Sequence, residues 1–435
     1  MKNKKHGTKR REFLKLTGMT AIGIAAAGPF NTMAAPWINN DSTDFNSLQS
    51  NMNTPDEKDL SLIGLYGPWA VSLMESKLPT LSYRRKEFAD IDTWRKQARG
   101  RLIERLAIPN IGGLPKVTVK KKYVFDGLSI EEISWQLPYG RLAEGILLKP
   151  QNANGKLPGI LAFHDHGGNK YFGKRKITRT PDQHPMMGDH QKEYYSGLAW
   201  ANEIAKRGYV VLVPDAFPFE SRRVFLSDVP EYSRHGLKDP DDSNAEGINA
   251  YNQWAGQHEH IMAKSLFSAG TTWPGVFFAE DQKALDILCT REDVDASKIG
   301  CAGLSGGGMR TVFMGGLDER IKCAVCVGFM TTWRDFVLNK SITHTWMTYV
   351  PLLPNELDFP EILGLRAPLP TLVLNDSEDD LYTLPEMQRA DKILSEVFVK
   401  ANASNKYKCS FHPGPHKFDS KMQGEAFDWF DKWLK

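Results

Sequence analysis

Cysteine is scarce: five residues in 435, at positions 289, 301, 323, 326 and 409. An odd, small number spread over a chain of this length excludes a disulfide-stapled scaffold. Past the first thirty-odd residues there is no apolar run of the ~18 residues that a membrane-spanning helix requires. Internal repeats and low-complexity tracts are missing as well, which excludes solenoids and collagen-like rods. A large charge of one sign is also lacking. The formal net charge is +3, but seven cations and one anion lie in residues 1–15, and the rest carries 48 Lys+Arg against 51 Asp+Glu. A mildly acidic body gives no electrostatic footprint for nucleic acid. What remains, 41% hydrophobic, 25% charged and 11% aromatic, describes a globular protein of two or three domains, or one α/β core with a large insertion.

The basic N-terminus ends in K-R-R-E-F-L-K, Lys9 to Lys15, and a Gly- and Ala-rich apolar run follows from Leu16 to about Phe30. Thr32 and Ala34 supply the small residues of a cleavage site. The stretch resembles a twin-arginine export signal over residues 1–34. That resemblance implies the export machinery as a partner and a periplasmic location. No cysteine follows the run, so no lipid attachment or membrane anchor is expected. Export in a folded state from a reducing cytoplasm implies that disulfides do not drive folding. Cys323 and Cys326 lie three apart in an apolar strand-like segment and face opposite sides, so they read as core residues rather than a metal pair.

Residues 36–58 are polar and rich in Asn, Asp and Ser, a lead-in to a helical stretch at 59–108. Residues 35–114 therefore read as one N-terminal segment. From 115 the pattern turns to strands: three closely connected ones near 117, 128 and 143, then short apolar runs at 159–163, 209–213, 298–303, 321–327, 370–374 and 407–411. Helical stretches near 195–207, 275–289, 306–317, 384–400 and 417–434 alternate with the later strands. Apolar strands joined by helical crossovers predict an α/β domain over 115–435, with a mostly parallel sheet covered on both faces. Residues 224–278 interrupt the rhythm as a long polar insertion bearing Trp and His.

The sharpest motif is G-L-S-G-G, Gly303 to Gly307, after a buried strand and before a helix. Strand–turn–helix is the context a nucleophile elbow needs, with Ser305 raised over the sheet at a helix N-terminus. The rival role for Ser305 is a helix N-cap. A serine nucleophile needs a base and an acid that orients it. His416 lies in the loop after the last strand, with His412 the nearby alternative at the strand end. Asp379 follows the strand at 370–374 by five residues; Asp376, Glu378 and Asp380 stay open as the acid. The order Ser305, Asp379, His416 suits this motif. The first buried strand of the parallel set ends in H-D-H-G-G, His164 to Gly168. By position, the N–H groups of His166 and Gly306 are the expected oxyanion donors.

These motifs together resemble an α/β-hydrolase, in particular bacterial acetyl xylan esterase-like and dienelactone hydrolase-like proteins, over roughly 115–435. The resemblance implies an eight-stranded, mostly parallel sheet and no cofactor. One departure stands out: glucuronoyl esterases carry Arg directly after the nucleophile, where this chain has Gly306. A metal is not expected. The His164–His166 pair lacks the Asp and His of an H-x-H-x-D-H site at 168 and 169, and His258-Glu259-His260 lacks the H-E-x-x-H spacing. Lys170, Lys174, Arg175, Lys176 and Arg179 follow the H-D-H-G-G loop. His164, Lys170 and Arg175 are the candidates for substrate contact, the cations being suited to a uronate and a solvated loop being the alternative. Trp200, Trp254, Trp273, Trp333 and Trp346 are available either for stacking on sugar rings or for the core. The expected function is hydrolysis of carbohydrate esters, O-acetyl or uronate methyl ester. The rivals are a peptidase or small-ester hydrolase of the same fold and a non-catalytic glycan-binding protein.

Overall fold

A computed structural model describes residues 60–75 and 78–435. The expected export signal at 1–34 and the lead-in at 36–58 lie outside the described residues. Nine strands form one sheet in the order β1-β2-β3-β5-β4-β6-β7-β8-β9. They are β1 (Val117–Phe125), β2 (Leu128–Trp135), β3 (Ala143–Pro150), β4 (Leu157–Phe163), β5 (Val210–Pro214), β6 (Val294–Leu304), β7 (Ile321–Val327), β8 (Thr371–Asp376) and β9 (Tyr407–His412). β5, β4, β6, β7, β8 and β9 pair in parallel, whereas β1, β2 and β3 join the β5 edge antiparallel. The count corrects the eight strands implied by resemblance. The added one is β1, a largely exposed edge strand that pairs with β2 across the tight turn at Asp126-Gly127. Its lysines, Lys120 to Lys122, discourage further edge pairing.

Alternation along each strand sorts the core into two faces. Leu161, Phe163, Ala324 and Cys326 join one apolar cluster, and Ile160, Ala162, Cys323 and Val325 join the other. Cys323 and Cys326 thus lie on opposite sides of the sheet, and all five cysteines are free. One face is covered by α2 (Ile91–Leu106), α7 (Trp273–Cys289), α8 (Gly306–Leu317) and α9 (Leu384–Lys400). The other is covered by α4 (Trp200–Lys206) and α10 (Ser420–Leu434). Preceding α2, α1 spans Tyr66–Glu75. The N-terminal helical segment is built into the same core. α2 starts on an Asp90 cap that accepts the Thr93 N–H at 2.7 Å, and it buries Trp94, Ala98, Leu102 and Leu106 against α7 and its neighbours.

Two excursions rise from the sheet's C-terminal end. The polar insertion expected at 224–278 is helical: α5 (Ala245–Gln257) and α6 (Glu259–Ser268) lead into α7, which starts at Trp273 on its Thr272 cap. It has a small core of its own, where Ile248, Tyr251 and Trp254 meet Tyr171, Phe172 and Met187 from α3 (Pro185–Tyr195) and the chain before it. A second excursion, between β7 and β8, was not expected from sequence. It is made of short turns and one six-residue helix, Phe359–Gly364, and carries no long apolar period. Among the described residues no helix is long and apolar enough to cross a membrane.

Candidate active site

Ser305 sits between β6 and α8 with φ 57° and ψ −120°, a conformation that L-residues other than glycine rarely adopt. Its N–H donates to the Val327 carbonyl at 2.9 Å, which pins the turn to β7. The turn closes only because position 307 has no side chain. A Cβ on Gly307 would stand 2.4 Å from the Phe163 carbonyl oxygen of β4. Ser305 lines a cavity of about 390 Å³ together with His166, Gly306, Glu259, Phe329, His344 and His416.

His416 and Asp379 meet: the imidazole Nδ1 lies 2.6 Å from the Asp379 carboxylate. The other Asp379 oxygen accepts the Leu381 N–H at 2.9 Å, so a turn after β8 holds the carboxylate in place. His416 Nε2 is buried and has no hydrogen-bond partner among the described residues. A general base that tightens onto its nucleophile only with substrate bound has this arrangement. The ring packs against Gly328, whose φ of +56° and missing side chain leave the room: a Cβ there would stand 2.9 Å from His416 Cε1. Of the alternative acids, Asp376 is buried at the end of β8, and one of its oxygens accepts the Lys417 N–H at 3.0 Å. Burial, more than the nearby Asp379 charge, pushes the Asp376 carboxyl up to about 7. Glu378 accepts the Gly414 N–H, Asp380 is exposed, and His412 pairs with Glu425 at 2.9 Å.

At the opposite wall, the His166 nitrogen stands 3.1 Å from where a Cβ on Gly306 would be, so the two backbone N–H groups are neighbours beside Ser305. The His166 ring turns away from them. Its Nδ1 accepts the Gly168 N–H, which leaves Nε2 to donate to Glu259 at 2.7 Å. Burial first, and the Lys170 charge second, hold this imidazole below its usual range.

His164, Lys170 and Arg175, the expected substrate contacts, do not line the cavity that holds Ser305. His164 is fully enclosed, its Nδ1 2.9 Å from the Asp165 carbonyl and its Nε2 accepting the Ala216 N–H, so it ties the loops after β4 and β5 together. Lys170 is buried against Glu259, and Arg175 pairs with Glu220 and Asp242. Lys174 likewise sits between Asp215 and Glu220, each at 2.8 Å. Four of the five cations of the basic run thus fold back on carboxylates, Lys176 on Asp165, whereas Arg179 donates to the Gly197 carbonyl at 2.8 Å.

Glu259 is a cavity-lining residue that sequence reasoning passed over, since it appears there only inside a motif that lacks metal spacing. Beyond His166 and Lys170 it accepts the Thr345 hydroxyl at 2.6 Å and the Trp346 N–H at 3.1 Å. One carboxylate thus joins the loop after β4 to both excursions, and its cationic and hydrogen-bonding partners hold it well below the usual range despite burial. His258 stacks on Trp254 and His260 is exposed, so no shared metal pocket forms from them. Of the five tryptophans singled out, Trp200, Trp254, Trp273 and Trp333 are buried, and Trp346, beside the cavity residue Thr345, is 43% exposed.

This sheet order and the strand–turn–helix elbow between β6 and α8 define an α/β-hydrolase fold. The prolyl oligopeptidase family (peptidase S9) matches residues 268–364, the stretch that holds the Ser305 elbow. The chain is 26% identical over 295 residues to YtaP of Bacillus subtilis (strain 168), provisionally named a hydrolase, with 67% of this chain and 84% of that one covered. Among solved structures, a Bacteroides fragilis protein provisionally named an acetyl xylan esterase superposes with a TM-score of 0.60 at 17% identity, covering 82% of this chain and 84% of that one. A glucuronoyl esterase from Solibacter usitatus superposes with a TM-score of 0.55 at 13% identity, covering 82% and 97%.

Proposed function

We propose that this protein is a serine ester hydrolase acting on ester-decorated carbohydrate. The observation that carries the reading is the strained Ser305, φ 57°, in one cavity with a His416 held at 2.6 Å by Asp379. Ser305 Oγ bonds to the ester carbon while its proton passes to His416 Nε2. The carbonyl electron pair moves onto oxygen, facing the N–H groups of His166 and Gly306. Collapse expels the alkoxide, which takes the proton back from His416. Water activated by the same imidazole then releases the acid.

Similarity to proteins named as carbohydrate esterases supports the substrate class, as does the half-exposed Trp346 next to the cavity residue Thr345, an aromatic ring of the kind that stacks on sugars. Within that class the reading favours O-acetyl groups over uronate methyl esters. Among the described residues no Lys or Arg lines the cavity, and Lys170 and Arg175, which suggested a uronate, are neutralised by Glu259, Glu220 and Asp242. A peptidase is the second reading, favoured by the family match over 268–364.

The test incubates the protein and its Ser305→Ala variant with acetylated and methyl-esterified plant polysaccharides and with a panel of peptide amides, following acetate and methanol by proton NMR. Acetate that requires Ser305 is the expected result. Methanol alone would move the substrate to a uronate ester, and amide cleavage without acetate would favour the peptidase. Export by the twin-arginine machinery to the periplasm is part of the proposal, on the strength of Arg10, Arg11 and the apolar run behind them. An Arg10→Lys/Arg11→Lys variant should stay in the cytoplasm; periplasmic accumulation of it would overturn the assignment.

A further inference from the structure

Lys176 is fully buried, and it takes no direct part in the proton transfers between Ser305, His416 and substrate. Its ammonium donates to two backbone carbonyls, Asp165 O at 2.9 Å and His166 O at 2.8 Å, and lies 3.6 Å from the Asp165 carboxylate. These carbonyls belong to consecutive peptide units, and the first unit is the one whose N–H is that of His166.

We propose that Lys176 is a positioning residue of the oxyanion hole, gripping the Asp165–His166 peptide from behind so that its N–H is aimed into the cavity and made a stronger donor. The inference rests on the serine esterase reading above. In a trans peptide the C=O and N–H point in opposite directions, so a cation fixed on the carbonyl fixes where the N–H points. A charge-assisted bond to that oxygen also draws electron density from the amide and polarises its hydrogen, a cooperative effect of about 10–30% per bond. The second bond, to the His166 carbonyl, keeps the following peptide from rotating the first out of line.

A purely packing role fits poorly. Burying an ammonium carries a large desolvation penalty, and an apolar side chain fills space without it. The site is built around the charge. The Phe219 ring lies 4.8 Å from Nζ on one side, and the Asp165 carboxylate is held by His190 at 3.1 Å and by the Tyr195 hydroxyl. α3, which supplies His190 and Tyr195, also sends Gln191 to the Lys176 carbonyl at 3.2 Å. The charged groups that act on the ammonium are Asp165 and Glu220, which favour its protonated form, and Lys170, which opposes it; burial dominates and brings it down to about 8. Lys176 is therefore charged below pH ~8 and loses its charge, and its grip, above that.

The experiment measures kcat and KM for p-nitrophenyl acetate from pH 6 to 9.5 in the full chain, Lys176→Met and Ser305→Ala. Lys176→Met should lower kcat about 10–100-fold, less than the 10²–10³-fold loss of a donor itself, with KM within about twofold. The kcat of the unmodified protein should fall as pH rises through about 8, and that limb should be missing in Lys176→Met. A Lys176→Met kcat within threefold of the parent, or kcat and KM failing together, would overturn the proposal. Should that variant not fold, a parent kcat that stays flat to pH 9.5 overturns it instead. Hydrolysis that survives Ser305→Ala counts against the serine reading alone, so the two failures are distinguishable.

Discussion

Asp379→Asn isolates the contact on which the proposed triad turns. The two carboxylate oxygens have different duties: one accepts the Leu381 N–H at 2.9 Å, the other faces His416 Nδ1 at 2.6 Å. An amide of the same shape must keep its oxygen on the Leu381 N–H, since its NH₂ cannot accept there. The NH₂ then points at Nδ1 and turns that nitrogen into an acceptor, which moves the ring proton to Nε2. Nε2 is the atom that must take the Ser305 proton, so the base is blocked while the geometry survives. A histidine held in the wrong tautomer costs about 10⁴-fold in kcat, equivalent to about 5.4 kcal/mol of barrier. The assay is steady-state hydrolysis of p-nitrophenyl acetate at pH 7.5, with far- and near-ultraviolet circular dichroism to verify folding. Asp376→Asn is the paired control. Asp376 accepts the Lys417 N–H, which an amide oxygen can still do, so kcat should stay within about fivefold. A folded Asp379→Asn within tenfold of the parent, or an Asp376→Asn that falls as far, would refute the assignment of the acid.

Three further outcomes are expected. Because burial raises Asp376 to about 7, the native state retains a proton that the unfolded chain releases from about pH 4 upward, and stability falls as pH climbs from 4 to 7. Asp376→Asn should therefore gain on the parent in thermal unfolding as pH rises, by up to about 4 kcal/mol, and a pH-independent difference would count against it. Trp346→Ala should raise KM for acetylated oligosaccharides about tenfold yet leave p-nitrophenyl acetate unchanged; equal losses on both would place Trp346 in the fold rather than at a sugar subsite. Gly307→Ala, which sets a Cβ 2.4 Å from the Phe163 carbonyl, should lower stability by more than about 2 kcal/mol in urea titration, and an unchanged midpoint would mean that β4 and α8 can separate freely.

Features governed by neighbours in the chain were legible from the residues. The β6 strand, the glycines and the helix behind them read as an elbow, because strain at position 305 is set within a few bonds of it. The strand rhythm from 117 onward, read residue by residue, contains all nine strands; the eight came from resemblance, which ignored the charged edge hairpin. The split of Cys323 and Cys326 across the sheet follows from the twofold period of a strand.

Other features depend on which distant segments meet, and no local pattern encodes that. Lys170, Lys174 and Arg175 carry the same charges whether they face solvent, substrate or carboxylates; only packing against Asp215, Glu220, Asp242 and Glu259 decided for the last. Glu259 joins the loop after β4 to the segment at 345–346, and its role exists only once three stretches of chain converge. Choosing among four acids within five residues required the turn after β8, where a shift of one position sends a carboxylate to solvent instead of to His416. The residue types and their order thus determined which chemistry the chain can offer. The tertiary structure decided which of those side chains share a cavity, because burial and charge pairing are set by groups that meet only after folding.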